Sequence, residues 1–172
     1  LAELLQAPVM TTLPGKSAFP ENHPLALGAS AVSTTKPIFH FVEKADVIFG
    51  IGCSFTRTGY GKAIPPGKII VHSTNDPADV NKDYKADYAL IGDSKLVLGA
   101  LIEEIKLASI GNRNDSKVAR EIQSVKSEWL EDWMPQLTSD EIPINPYRII
   151  WDLMHNVNRT NTIITHDAGS PR

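Results

Sequence analysis

The sequence predicts an α/β fold, a parallel sheet flanked by helices, followed by an incomplete second α/β unit. Apolar runs of strand length alternate along the chain with segments whose apolar residues recur at helical spacing, an order typical of βαβ units. The run 46–52 is almost continuously apolar, as expected of a strand covered by helices on both faces. The composition, 42% hydrophobic and 22% charged residues, is that of an ordinary globular protein.

The first half of the chain supplies the sheet's first elements. Residues 1–6 have a helical pattern and residues 8–12 read as a short strand. Residues 13–28 contain three prolines and two glycines and predict a long loop, a feature that is often functional. A helix is predicted over 37–45, because a proline opens it and its apolar residues are spaced three and four apart. The strand 46–52 follows directly.

The rest of the chain adds two strands of the sheet and three helices. Strands are predicted at 68–72 and 86–91, and Asp93 then provides the N-terminal cap of a helix. A long amphipathic helix is predicted over 115–133, after a polar break. Asn145 followed by proline is a favourable helix start, which predicts the last helix of the chain.

These patterns predict three segments, 1–106 as one domain, 107–143 as a connector containing the long helix, and 144–172 as the start of a second domain. Residues 163–164 read as a strand, and the loop after it has no following element. We expect the chain to be a piece of a longer protein.

Composition excludes several functional classes. The net charge is −3 without a basic run, so neither nucleic acid nor an anionic membrane is an expected partner. One cysteine excludes an internal disulfide and a cysteine-only zinc site. No apolar stretch approaches the roughly 18 residues of a membrane span, and no basic segment typical of a signal peptide opens the chain. We expect a cytoplasmic protein.

Three predicted strand ends, at 52–57, 72–76 and 92–93, meet at one edge of the sheet, where open α/β sheets bind ligands. Gly50 and Gly52 supply two of the three glycines of a dinucleotide fingerprint, but the third position is Phe55. The match is weak, and glycines that let the strand end turn sharply are the favoured explanation. The residues thus indicate a nucleotide-sized cleft without a catalytic constellation or a metal site.

The order of several motifs resembles the middle domain of thiamine-diphosphate-dependent enzymes of the acetolactate synthase, pyruvate oxidase and 2-oxoacid decarboxylase superfamily. The resemblance rests on LAELL, APVMTT and GKSAFPENHPLALG near the start. ADVI before GIG, KIIVH, NDPADV and IGDSKLVL follow in the family's order, so the match covers residues 1 to about 105. Residues 143–169 resemble the start of the same family's diphosphate-binding domain.

The resemblance implies a Rossmann-like fold of the DHS-like NAD/FAD-binding type, whose first strand would precede Leu1. It implies a parent lyase or transferase that cleaves or forms a carbon–carbon bond in a 2-oxo acid or related substrate, using thiamine diphosphate and Mg²⁺. The family's activating glutamate and its Gly-Asp-Gly…Asn magnesium motif are not found in this sequence, so no catalytic residue or metal ligand is expected here. A homodimer or homotetramer is the expected assembly of the full-length protein.

The resemblance also implies cofactor contacts. Gly169 and Ser170 would contact the phosphates of thiamine diphosphate. Some relatives bind FAD or ADP in the middle domain, and the corresponding positions are Gly52, Ser54, Thr74, Asp76 and Asp93. Thr74 replaces an acid of the flavin-binding members, which argues against a flavin. The alternative function is a non-catalytic nucleotide-binding module with the same fold.

Overall fold

The computed structural model describes residues 1–30, 34–57, 63–109 and 116–165. The chain divides into two compact units, Leu1–Lys126 and Ser127–Arg172. The described helices are α1 (Ala2–Leu5), α2 (Lys36–Lys44), α3 (Ser94–Leu107), α4 (Lys117–Leu137) and α5 (Pro146–Asn156). The described strands are β1 (Val9–Thr12), β2 (Ala26–Ser30), β3 (Val47–Ile51), β4 (Ile69–Thr74) and β5 (Tyr88–Ile91).

The strands are parallel, as the sequence predicts, but they form two sheets. One sheet pairs β1 with β2, and the other has the order β3-β4-β5. No strand formed by the described residues joins β1 or β2 to the sheet of β3, β4 and β5. The fold is therefore α/β with small parallel sheets, and the single sheet expected from the sequence is not formed by the described residues.

β2 begins inside the segment 13–28 that the sequence predicts as loop and ends two residues after it. Leu25, Ala26 and Leu27 are 2%, 2% and 5% exposed, so this short stretch is well buried. The sequence does not predict this strand, because its apolar run is brief and ends at a glycine. That residue, Gly28, has a φ of 98°. Conversely, residues 163–164 form no strand, and Ile163 is 92% exposed.

The core of the first unit joins elements that are distant in sequence. Leu25 and Leu27 pack with Ile38 of α2 and Ile122 of α4. Ile38 and Ile122 are each 1% exposed, so the first turns of α4 belong to this core. The predicted domain limits at 106 and 143 stay predictions.

The helix ends follow from side-chain caps. The carboxylate of Asp93 accepts hydrogen bonds from the amides of Lys95 and Leu96, and Asn145 caps α5 through the amide of Tyr147. α4 was predicted to end at Trp133, but it continues to Leu137 with Pro135 in its last turns. None of the described helices is long and apolar enough to cross a membrane.

The second unit is held by one arginine and an aromatic pair. Arg148 donates hydrogen bonds to the carboxylates of Asp140 and Asp152, at 2.7 and 2.8 Å, and to the carbonyl of Ser139 at 3.1 Å. These two carboxylates raise the pKa of the Arg148 guanidinium. Trp133 packs edge-on against Tyr147 with ring centroids 4.9 Å apart. These contacts tie α5 to the end of α4.

Candidate functional site

The carboxyl ends of β3, β4 and β5 meet at one edge, which we call the strand-end site: Gly52, Ser54, Thr74, Asp76 and Asp93. The parallel ladder continues past the strands, because Gly52 N donates to the carbonyl of Ser73 and Gly92 N donates to that of Thr74, at 2.9 and 3.0 Å. The main chain therefore brings the loops after the three strands together, as predicted.

The two acidic side chains of the strand-end site already have structural partners. Asp93 caps α3 through two backbone amides. Asp76 accepts a hydrogen bond from the amide of Ala78 at 2.9 Å and caps the short 3₁₀ turn Pro77–Asp79. N-terminal caps of this kind satisfy amides that would otherwise lack partners. Their conformations are thus fixed by the fold.

The hydroxyl groups of the site are also engaged locally. Thr74 is 3% exposed, and its Oγ1 accepts a hydrogen bond from the amide of Asp76 at 3.1 Å. The hydroxyl of Ser54 is 2.7 Å from that of Thr56. Both groups can shape the edge, but Thr74 is too buried to present a broad polar surface.

An aromatic ring fills the space beside Gly50. A Cβ added at Gly50 would lie 2.3 Å from Cε2 and Cζ of Phe55 and 2.8 Å from Sγ of Cys53. Phe55 has a left-handed φ of 47°, which turns its ring back over the strand. The first glycine of the Gly50-Ile51-Gly52 turn therefore makes room for Phe55. It does not form an open cradle for a pyrophosphate group, so its proposed dinucleotide role does not fit this geometry.

A buried histidine lies beneath Phe55. His72 is 1% exposed, and its Nε2–H donates to the carbonyl of Cys53 at 2.7 Å. The rings of Phe55 and His72 pack edge-on with centroids 4.9 Å apart. Burial raises the pKa of the Cys53 thiol, which favours the uncharged form. This cluster packs the strand end, and no cation among the described residues is a cause that lowers the pKa of its cysteine.

The aromatic cluster extends to a loop that sequence reasoning missed. The ring centroids of Tyr84 and Phe55 are 6.3 Å apart, and the guanidinium of Arg57 lies 4.6 Å from the Tyr84 ring centroid. The amide of Arg57 also donates to Asp83 at 2.7 Å. Phe55 in place of the fingerprint's third glycine is the feature of the sequence that could have indicated this packing.

Gly52 differs from Gly50. It is exposed, has a φ of 62°, and a Cβ there would meet only Oγ of Ser94, at 3.7 Å. A ligand can therefore approach the main chain at this point of the strand-end site. Gly169 and Ser170 lie outside the described residues, so their predicted contacts stay predictions. Among the described parts of the chain, no group of three metal-ligating side chains could hold an ion.

Comparison with known proteins gives the family. The family described as "Thiamine pyrophosphate enzyme, central domain" matches residues 1–101 of the chain. This match includes β1 to β5 and most of α3, that is, every strand of the strand-end site.

Three curated relatives match almost the whole chain. The "Probable acetolactate synthase large subunit" of Methanococcus aeolicus is 38% identical over 98% of this chain and 30% of its own length. The protein of the same name in Methanocaldococcus jannaschii is 38% identical over 98% of this chain and 29% of its own length. The "Acetolactate synthase large subunit" of Parasynechococcus marenigrum is 30% identical over 98% and 27%. The chain therefore spans less than a third of the length of these relatives.

Proposed function

Because the chain belongs to the thiamine pyrophosphate enzymes and carries their central domain, we propose that it forms part of an acetolactate synthase-like enzyme. The observation that carries this proposal is the 38% identity to two archaeal relatives over 98% of the chain. The similarity continues beyond the central domain into the second unit. A module that had kept only a nucleotide-binding fold would have no reason to keep that second region similar.

Exposed apolar side chains support a role within a larger assembly. On α5, Ile149, Ile150 and Met154 are 45%, 41% and 49% exposed. On α3, Leu96 and Leu107 are 72% and 78% exposed. Apolar surface concentrated on helices usually marks a contact with further protein. In the proposed enzyme these faces are covered by the rest of the polypeptide or by further subunits of a homodimer or homotetramer.

In the proposed enzyme, thiamine diphosphate carries out the chemistry, because it supplies a carbanion and an electron sink for the 2-oxo acid. Within this chain, Gly169 and Ser170 are proposed to hold the cofactor's phosphates by an amide and a hydroxyl group. The strand-end site is proposed to have a structural role within the central domain. Its contact with a nucleotide such as ADP is proposed only at Gly52. We propose no flavin, because Phe55 fills the space over Gly50.

The test is a product assay on the full-length protein encoded by the gene. Pyruvate, thiamine diphosphate and Mg²⁺ are expected to yield acetolactate, and omission of the cofactor is expected to abolish it. An aldehyde as the product would support a decarboxylase of the same family. No product, together with heat released on titration with ADP, would support the non-catalytic nucleotide-binding module and contradict the proposal.

A further inference from the structure

A pocket of about 480 Å³ lies between the end of the long loop and one face of α4, which we call the loop–helix pocket. Loop residues 21–24 form one wall, and residues of α4 between 119 and 126 form the other. The whole pocket belongs to the first compact unit. Its volume is within the range of small-molecule sites, and it does not overlap the strand-end site.

A lysine that has no partner among the described residues lines the pocket. Lys126 is partly buried, and its ammonium group makes no hydrogen bond or ion pair with any residue that the structure describes. Burial lowers the pKa of Lys126, while the charge of Glu21 acts in the opposite direction. A partly desolvated cation without a partner is unfavourable, and a bound negative group would remove that penalty.

The other charged groups of the pocket leave it net positive. Arg120 contributes a second cation, and its guanidinium is held by the hydroxyl of Ser116. Glu21 is the one acidic side chain among the described lining residues, and its carboxylate lies 3.8 Å from Lys16. Two cationic residues of α4 and one acidic residue of the loop therefore line the pocket, and the acidic residue also faces the exposed Lys16.

Both ring nitrogens of His23, in the wall of the pocket, already have partners. Its Nδ1 accepts a hydrogen bond from the amide of Leu25 at 3.1 Å, and its Nε2 lies 3.0 Å from a carboxylate oxygen of Glu3. The orientation of this ring is therefore fixed by the chain itself. The neighbouring amide of Asn22 adds a polar group that can donate to an oxyanion.

We propose that the loop–helix pocket binds a small organic molecule carrying an oxyanion group, with Lys126 and Arg120 as its charge partners. The oxyanion is a carboxylate or a phosphate, since both offer several negatively charged oxygens to an ammonium and a guanidinium. The apolar remainder of the molecule lies toward the apolar lining residues Pro24, Ala119 and Ile122. This gives the long loop, predicted to be functional, a binding role away from the strand-end site.

The test uses the 172-residue chain, with inorganic phosphate and succinate as separate probes at constant ionic strength. Saturable NMR shifts are expected in the amides of residues 21–24 and 119–126 with at least one probe. Lys126→Met is expected to weaken binding at least about tenfold, as for loss of one charge-assisted contact. Lys126→Arg is expected to restore it.

The matched control is Lys106→Met, which removes one positive charge from an exposed pair with Glu103 on α3. It is expected to bind the probe as the unmodified chain does. Equal weakening by both substitutions, shifts spread over the whole surface, or no saturation with either probe would show an adventitious ion only and overturn the proposal. The location of the shifts in the unmodified chain decides the question even if Lys126→Met does not fold.

Discussion

The contact between Gly50 and Phe55 predicts a strong, specific effect of one added methyl group. The Cβ of Gly50→Ala would lie 2.3 Å from the Phe55 ring, whereas ordinary contacts are 3.4–4 Å. The ring also packs edge-on against His72 and lies near Tyr84, so these contacts restrict its movement away from the methyl group. We expect Gly50→Ala to lower the free energy of unfolding by about 1–3 kcal/mol, the range found for overpacked cores.

A double-mutant cycle separates this clash from other effects. Phe55→Ala alone is expected to cost about 3 kcal/mol or less, because the ring is only partly buried. In that background Gly50→Ala is expected to cost little, since the methyl group enters space that the ring has left. The two substitutions should therefore be coupled by about 1–2 kcal/mol. Urea denaturation followed by far-UV circular dichroism measures each free energy of unfolding.

Gly99→Ala is the matched control, because it adds the same methyl group on α3 where nothing lies within 4 Å. It is expected to stabilise the chain by up to about 1 kcal/mol, through helix propensity. The reasoning is refuted if Gly50→Ala costs the same with and without the Phe55 ring, or if it is as harmless as Gly99→Ala.

Four further predictions follow from single contacts. Ile122→Ala is expected to lower the free energy of unfolding in urea by about 2–5 kcal/mol and Ile122→Val by about 0.5–1.5, because the side chain is 1% exposed; equal small losses would contradict its core position. Asp93→Ala is expected to cost about 0.5–2 kcal/mol in the same assay and Asp93→Asn much less, since asparagine also caps helices. Hydrogen bonds from His40 and Lys44 lower the pKa of Glu121 below its ordinary 4.5, so its stabilisation is complete above that pH and is lost as the pH falls through the lower, folded value. The part of the stability that is lost at low pH in this way is expected to be about 0.5–1 kcal/mol, since the pair is partly exposed. Melting temperatures measured over a pH series should therefore fall less at low pH in Glu121→Gln than in the unmodified chain. Ser73→Ala is expected to leave the melting temperature unchanged or raise it, because the buried hydroxyl has no partner among the described residues; a clear drop would reveal one.

The sequence predicts the elements that have strong local determinants. β3 and β4 are apolar runs with parallel register between Val47 and Ile69, and caps at Asp93 and Asn145 fix the starts of α3 and α5. Their order, together with the family motifs, also predicts that the loops after the three strands meet. The strands and the caps depend on residues close together in the chain, and the meeting of the loops follows from the order of the elements.

The features that the sequence does not predict depend on distant or unusual contacts. β2 is recognisable only through its pairing with β1 and the burial of Leu27 against Ile122 of α4. The Phe55 ring fills the space beside Gly50 because the backbone of Phe55 is left-handed, a conformation that an aromatic residue seldom adopts. The loop–helix pocket requires Glu21 and Lys126, about a hundred residues apart, to face the same space.

Binding of thiamine diphosphate to the full-length protein tests the central claim most directly. Isothermal titration calorimetry in the presence of Mg²⁺ is expected to show saturable binding, and chelation of the metal is expected to abolish it. Ser170→Ala, a substitution in the proposed phosphate loop, should weaken the cofactor without unfolding the protein. Saturable, Mg²⁺-dependent heat would agree with a thiamine diphosphate enzyme. No binding by the folded, full-length protein would contradict it.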